Sequence, residues 1–141
     1  MNDVVIISAA LAAITALVWW FYRSRENDRF DVFMQPVPAT GIRSRAQWID
    51  GANHVRVALS LQSEKISYQN SDVDGSIDLR DVDEVEYGSD LMTGGIANGA
   101  VLRLRSHGRA IEFVMDVASA DQWSQHLPPH RMNESGRVQA I

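Results

Sequence analysis

Residues 70–81, NSDVDGSIDLRD, hold the carboxylates whose spacing comes nearest to a recognised chemistry. A calcium loop follows D-x-[DN]-x-[DN]-G-x5-E and wraps one ion in about six to eight oxygens. Here Asn70 takes the first position, Asp72 the third, Asp74 the fifth, Gly75 the sixth, Asp78 the ninth and Asp81 the last. Such a loop joins two helices, yet KISYQ before it and SIDL within it are strand-like. Its first ligand would be an amide, and its last a short aspartate that reaches poorly for bidentate binding. A hairpin turning at Asp74-Gly75 uses the same residues without a metal, because Asp and Gly supply the positive φ angles of tight turns. The hairpin is the preferred reading, with Asn70, Asp72, Asp74, Asp78 and Asp81 kept as weak metal candidates.

Four histidines are present: His54, His107, His126 and His130. The last two stand four apart in HLPPH, but the Pro-Pro pair between them cannot be helical, so they do not share a face as zinc ligands on a helix do. The glycine-rich run MTGGIANG, residues 92–99, lacks the Gly-Lys-Ser/Thr ending of a phosphate loop and reads as a flexible strand connection. No nucleophile stands beside a base, so neither enzyme activity nor a cofactor is expected. The acidic group Asp78, Asp81, Asp83, Glu84 and Glu86 reads as a solvated face that discourages edge-to-edge strand pairing. Arg103 and Arg105, on one face of their strand, are expected to pair with those carboxylates across the sheet.

The elements that must position these residues differ sharply along the chain. Its 141 residues suffice for one domain plus an appendage. With 13 Lys+Arg against 18 Asp+Glu, net −5, it lacks the basic balance of a nucleic-acid binder. It has no cysteine, which removes disulfides and thiolate sites together.

Residues 4–22, VVIISAALAAITALVWWFY, run nineteen positions without a charge. As a helix they would extend about 28 Å, close to the ~30 Å hydrocarbon thickness of a bilayer. Trp19, Trp20 and Tyr22 cluster at one end, where amphipathic rings favour the headgroup level, and Arg23, Arg25 and Arg29 follow. A cleaved signal is disfavoured, because MND carries no basic residue and WWFY occupies the place of a small-residue cleavage site. A retained anchor over 1–22 is expected, in a bacterial inner membrane. The arginines place the N-terminus outside and the rest in the cytoplasm. Ser8, Ala9, Ala12, Ala13, Thr15 and Ala16 form a small-residue face against which a helix of another membrane protein can pack.

Residues 23–40 read as a linker, since Pro36 and Pro38 disfavour a helix. From residue 41 the period becomes two. Val55, Val57, Leu59 and Leu61 alternate with polar or small residues, and shorter stretches of the same kind follow at Ile66–Tyr68, Ile77–Leu79, Val85–Tyr87, 100–105 and 111–115. With a less regular strand over 42–49, about seven antiparallel strands are expected, as in a small barrel or sandwich. Ser119-Ala-Asp-Gln122 fits a capping box for a short helix whose Ala120, Trp123 and Leu127 share a face, and Pro128-Pro129 ends it. Residues 129–141 are expected to be a flexible tail.

The stretches LSLQSEKISYQ, GSIDLRDVDEVEYG, AVLRLRSHGRAIEFVMD and SADQWSQHL, in that order, resemble a pleckstrin-homology-like (PH/GRAM-like) domain over residues 41–128. The resemblance implies a partly open β-barrel plugged by a C-terminal helix, with Trp123 as the plug. It also implies a platform for lipids or proteins rather than a catalyst. The phosphoinositide-binding members carry a lysine-led basic motif across the first two strands, whereas this chain offers Arg43, Arg45 and Arg56. The expected role is a membrane-anchored accessory or assembly subunit of a larger inner-membrane complex: respiratory, photosynthetic, transport or secretory. The alternatives are a sensor of anionic lipid headgroups and a calcium-binding regulatory module.

Overall fold

The computed structural model describes residues 14–19, residues 41–132 and, as backbone, residues 138–140. Residues 14–19 are helical, with Ile14, Leu17, Val18 and Trp19 exposed. Most of the expected anchor lies outside the described residues, including Ser8, Ala9, Ala12, Ala13, Trp20, Tyr22, Arg23, Arg25 and Arg29. Only Thr15 and Ala16 of its small-residue face are described. Among the described residues no helix is long and apolar enough to cross a membrane.

The domain is an antiparallel meander that closes on one helix. Its strands are β1 (Gly41–Asp50), β2 (Asn53–Gln62), β3 (Lys65–Gln69), β4 (Asp74–Asp78), β5 (Glu84–Asp90), β6 (Ile96–Ser106), β7 (Arg109–Met115), β8 (His130–Met132) and β9 (Val138–Ala140). A 3-10 turn at Leu79–Asp81 joins β4 towards β5, and helix α1 (Val117–His126) follows β7. The sheet order is β4-β3-β2-β1-β7-β6-β5-β8-β9, so the first and seventh strands are neighbours and join two consecutive meanders. Leu79, expected in a strand, instead opens the 3-10 turn.

Alternation decides which residues face inward. Val57, Leu59, Ile66, Val85, Leu102, Leu104 and Phe113 all belong to one core, together with Ala46, Ile77 and Met115. Helix α1 brings Ala120 and Trp123 into that core, and Leu127 follows at its end. Trp123 is fully buried, and its indole Nε1–H donates to Ser44 Oγ at 2.9 Å. Ser44 thus occupies an inward position on β1 that alternation alone would give to an apolar residue. Trp48, Tyr68 and Phe113 form a chain of tilted rings with successive centroids 5.4 Å apart, a spacing at which aromatic edges meet faces.

The turns follow from local chemistry. His107 (φ 48°) and Gly108 (φ 76°) are both left-handed, as a two-residue type I′ hairpin requires. The helix cap lies three residues before the expected one. Asp116 Oδ1 accepts the Ser119 N–H at 2.8 Å, and Ser119 Oγ donates to Asp116 Oδ2 at 2.7 Å. Asp116, not Ser119, is therefore the N-cap.

Those bonds from Ser119 hold the Asp116 carboxyl below its ordinary pKa of 3.8. A depressed carboxyl pKa adds stability above the unfolded value, and that contribution fades as pH falls through the folded one. Asp116→Ala is expected to cost about 1 kcal/mol in urea denaturation near neutral pH. The difference from the parent chain should shrink as the pH falls below the ordinary aspartate range.

The sheet also extends past Leu127. His130–Met132 pairs with β5, and Val138–Ala140 pairs with β8, so ordered strands occupy part of the stretch expected to be a tail.

Candidate interaction surface

The aspartate-rich segment folds as a hairpin, but its turn is not the one expected. β3 and β4 pair from Lys65↔Asp78 to Gln69↔Asp74, leaving residues 70–73 as the loop. Asn70 organises it. Its Oδ1 accepts the N–H groups of Asp72 and Val73 at 2.7 Å each, its Nδ2 donates to the Arg56 carbonyl at 2.8 Å, and its N–H donates to the Val73 carbonyl at 2.8 Å. This is an Asx turn, in which the side chain stands in for backbone.

Asp74 and Gly75 lie within β4, and Gly75 is required for space rather than for a positive φ. A Cβ there would sit 2.2 Å from the Tyr68 ring, which lies across it. Asp74 accepts from Gln69 Nε2 at 3.0 Å. Asp78 caps the 3-10 turn: its Oδ1 accepts the Arg80 N–H at 3.0 Å and its Oδ2 pairs with Nη2 at 2.6 Å. The hydrogen bonds from Arg80 pull the Asp78 carboxyl down to about 2. Asp72 and Asp81 are exposed. The five candidates are spread over a turn, a strand and a helical cap, and among the described residues no three acidic or histidine side chains are grouped as metal ligands.

The histidines are separated as well. His107 forms the type I′ turn, and its N–H donates to Asp83 Oδ2 at 2.9 Å. His126 Nδ1 lies 2.9 Å from the Gln122 carbonyl, and His130 Nδ1 lies 2.9 Å from the Pro128 carbonyl. His54 Nδ1 is 3.3 Å from Gln47 Oε1 at the surface. Arg43 and Arg45 stand on β1 opposite Ser60 and Ala58, and Arg56 stands on β2 opposite Gln47.

Charge is concentrated instead on the outer face of β5, β6 and β7, where the alternation puts Glu84, Glu86, Arg103, Arg105 and Glu112. Arg103 bridges both neighbouring strands. Its Nη2 is 2.8 Å from Glu112 Oε1 and its Nη1 is 3.1 Å from Glu86 Oε2. Its Nη2 also donates to the Asp90 carbonyl at 2.9 Å. Arg105 Nε lies 3.1 Å from Glu84 Oε2, and Arg131 of β8 brings its Nε to 3.0 Å from Glu84 Oε1. Glu84 and Glu112 are only 4% and 5% exposed, so each carboxylate depends on its arginines and on what covers it.

The cover over Glu112 is the glycine-rich run, and it is docked. Leu91 sits in a second small cluster with Ile49, Val101 and Val114 on the outer face. The Leu91 N–H donates to the Gly95 carbonyl at 2.8 Å, and the Gly94 N–H donates back to the Leu91 carbonyl at 2.9 Å. The Met92 N–H reaches Glu112 Oε1 at 3.0 Å. Gly99 permits the bend, at φ +140° and with the Met115 carbonyl oxygen 2.4 Å from where a Cβ would stand. Residues 91–95 thus close over the outer face.

Beside the outer edge of β5 lies a cleft of about 330 Å³ lined by Glu86, Tyr87, Gly88, Val101, Arg103 and Pro129. The Tyr87 hydroxyl donates to the Leu127 carbonyl at 3.0 Å, and burial pushes its pKa well above the ordinary tyrosine value. That bond fixes the end of α1 against β5 and sets the position of Pro128 and Pro129. The carboxylates and guanidinia here pair with one another across neighbouring strands.

No protein-family model matches the chain, and no curated protein matches it. A solved structure, the inner membrane complex sub-compartment protein 3 from Toxoplasma gondii, is similar at 23% sequence identity. The match covers 71% of this chain and 80% of that one, with a TM-score of 0.47.

Proposed function

We propose that this chain is a membrane-tethered, non-catalytic interaction module: an accessory or assembly subunit that keeps a small β domain beside a larger membrane complex. The observation that carries the proposal is the uncharged run of residues 4–22, followed by Arg23, Arg25 and Arg29. Its length matches a bilayer, and its charge asymmetry puts the β domain on the cytoplasmic side of an inner membrane with the N-terminus outside. Ser8, Ala9, Ala12, Ala13, Thr15 and Ala16 supply a face suited to a neighbouring transmembrane helix.

The domain is proposed to be pleckstrin-homology-like. Support comes from two meanders joined through β1 and β7, from the helix that follows β7, and from Trp123 in the core on that helix. A binding rather than catalytic role is supported by the dispersal of the four histidines and by the mutual neutralisation of the acidic and basic side chains on the outer face. A sensor of anionic headgroups, with Arg23, Arg25, Arg29, Arg43 and Arg45 facing the lipid, is disfavoured by charge, because residues 30–141 hold 10 Lys+Arg against 15 Asp+Glu.

The test is purification of the full chain in mild detergent from its native membrane. Co-elution with one or more membrane proteins in fixed ratio is expected. A lone monomer with nothing bound to it would overturn the assignment to a complex.

A further inference from the structure

β5 is covered along only the start of its outer edge, at Glu84 and Val85. β8 pairs with it at Glu84↔Arg131 and Val85↔His130, and the Met132 N–H donates to the Asp83 carbonyl at 2.7 Å. Beyond Val85 the strand continues to Asp90 with β6 on one side and, among the described residues, no strand on the other. By the two-residue alternation of an antiparallel ladder, the carbonyl of Tyr87 faces the same side as that of Asp83, and the ladder with β6 turns irregular only beyond Gly88. An edge of this kind presents backbone groups ready to pair with an added strand.

The chain's own segment stops pairing for a covalent reason. Continuing the register would set Pro129 opposite Glu86 and Pro128 opposite Tyr87, and neither proline has an N–H to donate. The 330 Å³ cleft runs from this point over the outer face, bordered by Pro129, by Glu86, Tyr87 and Gly88 of β5 and by Val101 and Arg103 of β6. At Gly88 an added Cβ would meet nothing within 4 Å, so the outer face beside the edge is open there.

We infer that the outer edge of β5 is a strand-addition site for an extended, basic peptide segment of a partner protein, and that His130–Met132 is the resident occupant of its start. The side-chain requirement is set by the row that shares one face of the edge: Glu84, Glu86 and Gly88. Glu84 takes a cation from the added strand, which Arg131 supplies at 3.0 Å. Glu86 lies two residues further along the same face and is a third exposed, with Arg103 on its inner side. A segment with Arg or Lys at alternate positions, and with no proline between them, meets both carboxylates. It also supplies, opposite Tyr87, the backbone N–H that Pro128 lacks. Such a segment displaces β8 by extending the ladder rather than by competing for a single contact. This inference rests on the proposed role as an interaction module and names the class of partner for it.

The cysteine-free full chain in detergent is titrated with a fluorescent hexapeptide copying residues 127–132, with Val and Arg in place of Pro128 and Pro129. An Arg131→Ala chain, whose own strand is loosened, is titrated in parallel. The Arg131→Ala chain should bind this peptide at least tenfold more tightly than the parent chain. The peptide with the native prolines should bind both chains more weakly. Amide hydrogen exchange should slow within residues 84–90 on binding, with residues 53–62 unchanged. Equal affinity of the two chains, no binding by either, or protection that falls away from β5 would overturn the site. If membrane proteins still co-purify with the chain while the peptide fails, the edge assignment falls and the interaction-module reading stands. If neither is found, both fall.

Discussion

Trp123→Ala is expected to cost about 3–5 kcal/mol, the range for removing a large buried aromatic from a close-packed core. The indole is fully buried where α1 meets the sheet, so its removal leaves a cavity between helix and strands. A second loss adds to the first. Ser44 Oγ is 5% exposed as a residue and loses the Nε1–H that satisfies it; an unsatisfied buried hydroxyl costs about 1–3 kcal/mol. Trp123→Phe keeps most of the volume and loses the bond, so it should fall between the parent and the alanine variant. Urea denaturation followed by far-ultraviolet circular dichroism separates the two contributions. For a domain of this size, whose total stability is on the order of 5–15 kcal/mol, the alanine variant is expected to be at the edge of unfolding.

Arg103→Ala has the second largest expected effect. It strips Glu112 of its guanidinium while the carboxylate remains under the Leu91–Gly95 loop, with the Met92 N–H as its remaining close donor. Breaking a fully buried pair costs about 3–5 kcal/mol. The Arg103 side chain is 20% exposed and Glu86 33%, so water offsets part of the loss and about 2–4 kcal/mol is expected. Replacing both partners, Arg103→Met with Glu112→Leu, should recover much of it, because no uncompensated buried charge remains. A double-mutant cycle in urea measures that recovery. Strictly additive losses would mean that the arginine stabilises the fold through its aliphatic stem alone.

Much of the β domain is legible in the sequence because its core strands alternate without interruption. Val55, Val57, Leu59 and Leu61 declare the inner face of β2, and Ala100, Leu102 and Leu104 declare that of β6. Legibility fails where tertiary contacts set the residue type. Strand β1 carries Ser44 inward, because Trp123 needs an acceptor there, and Ile49 outward, because Leu91 folds over it. Val101 and Val114 sit on nominally polar faces for the same reason. Asp74-Gly75 has the local appearance of a turn, but Gly75 is small because Tyr68 crosses it from β3, and Asn70 holds the turn through its side chain.

The charged ladder was half legible. Arg103 and Arg105 were expected to meet carboxylates across the sheet, and they meet Glu86 and Glu84. The bond from Arg103 to Glu112 crosses the β6–β7 hairpin, whose register the His107-Gly108 turn sets, but Glu112 stands outside the acidic group of residues 78–86. Strand β8 could not be read at all. Three residues, two of them polar, carry no periodicity, and only the approach of β5 makes them a strand.

The most direct measurement of the central claim is alkaline carbonate extraction of the full chain from bacterial membranes, with the N-terminus of the extracted protein sequenced. Retention in the membrane pellet with residues 4–22 intact is the predicted result. Recovery in the supernatant, or a mature chain that has lost those residues, would contradict it.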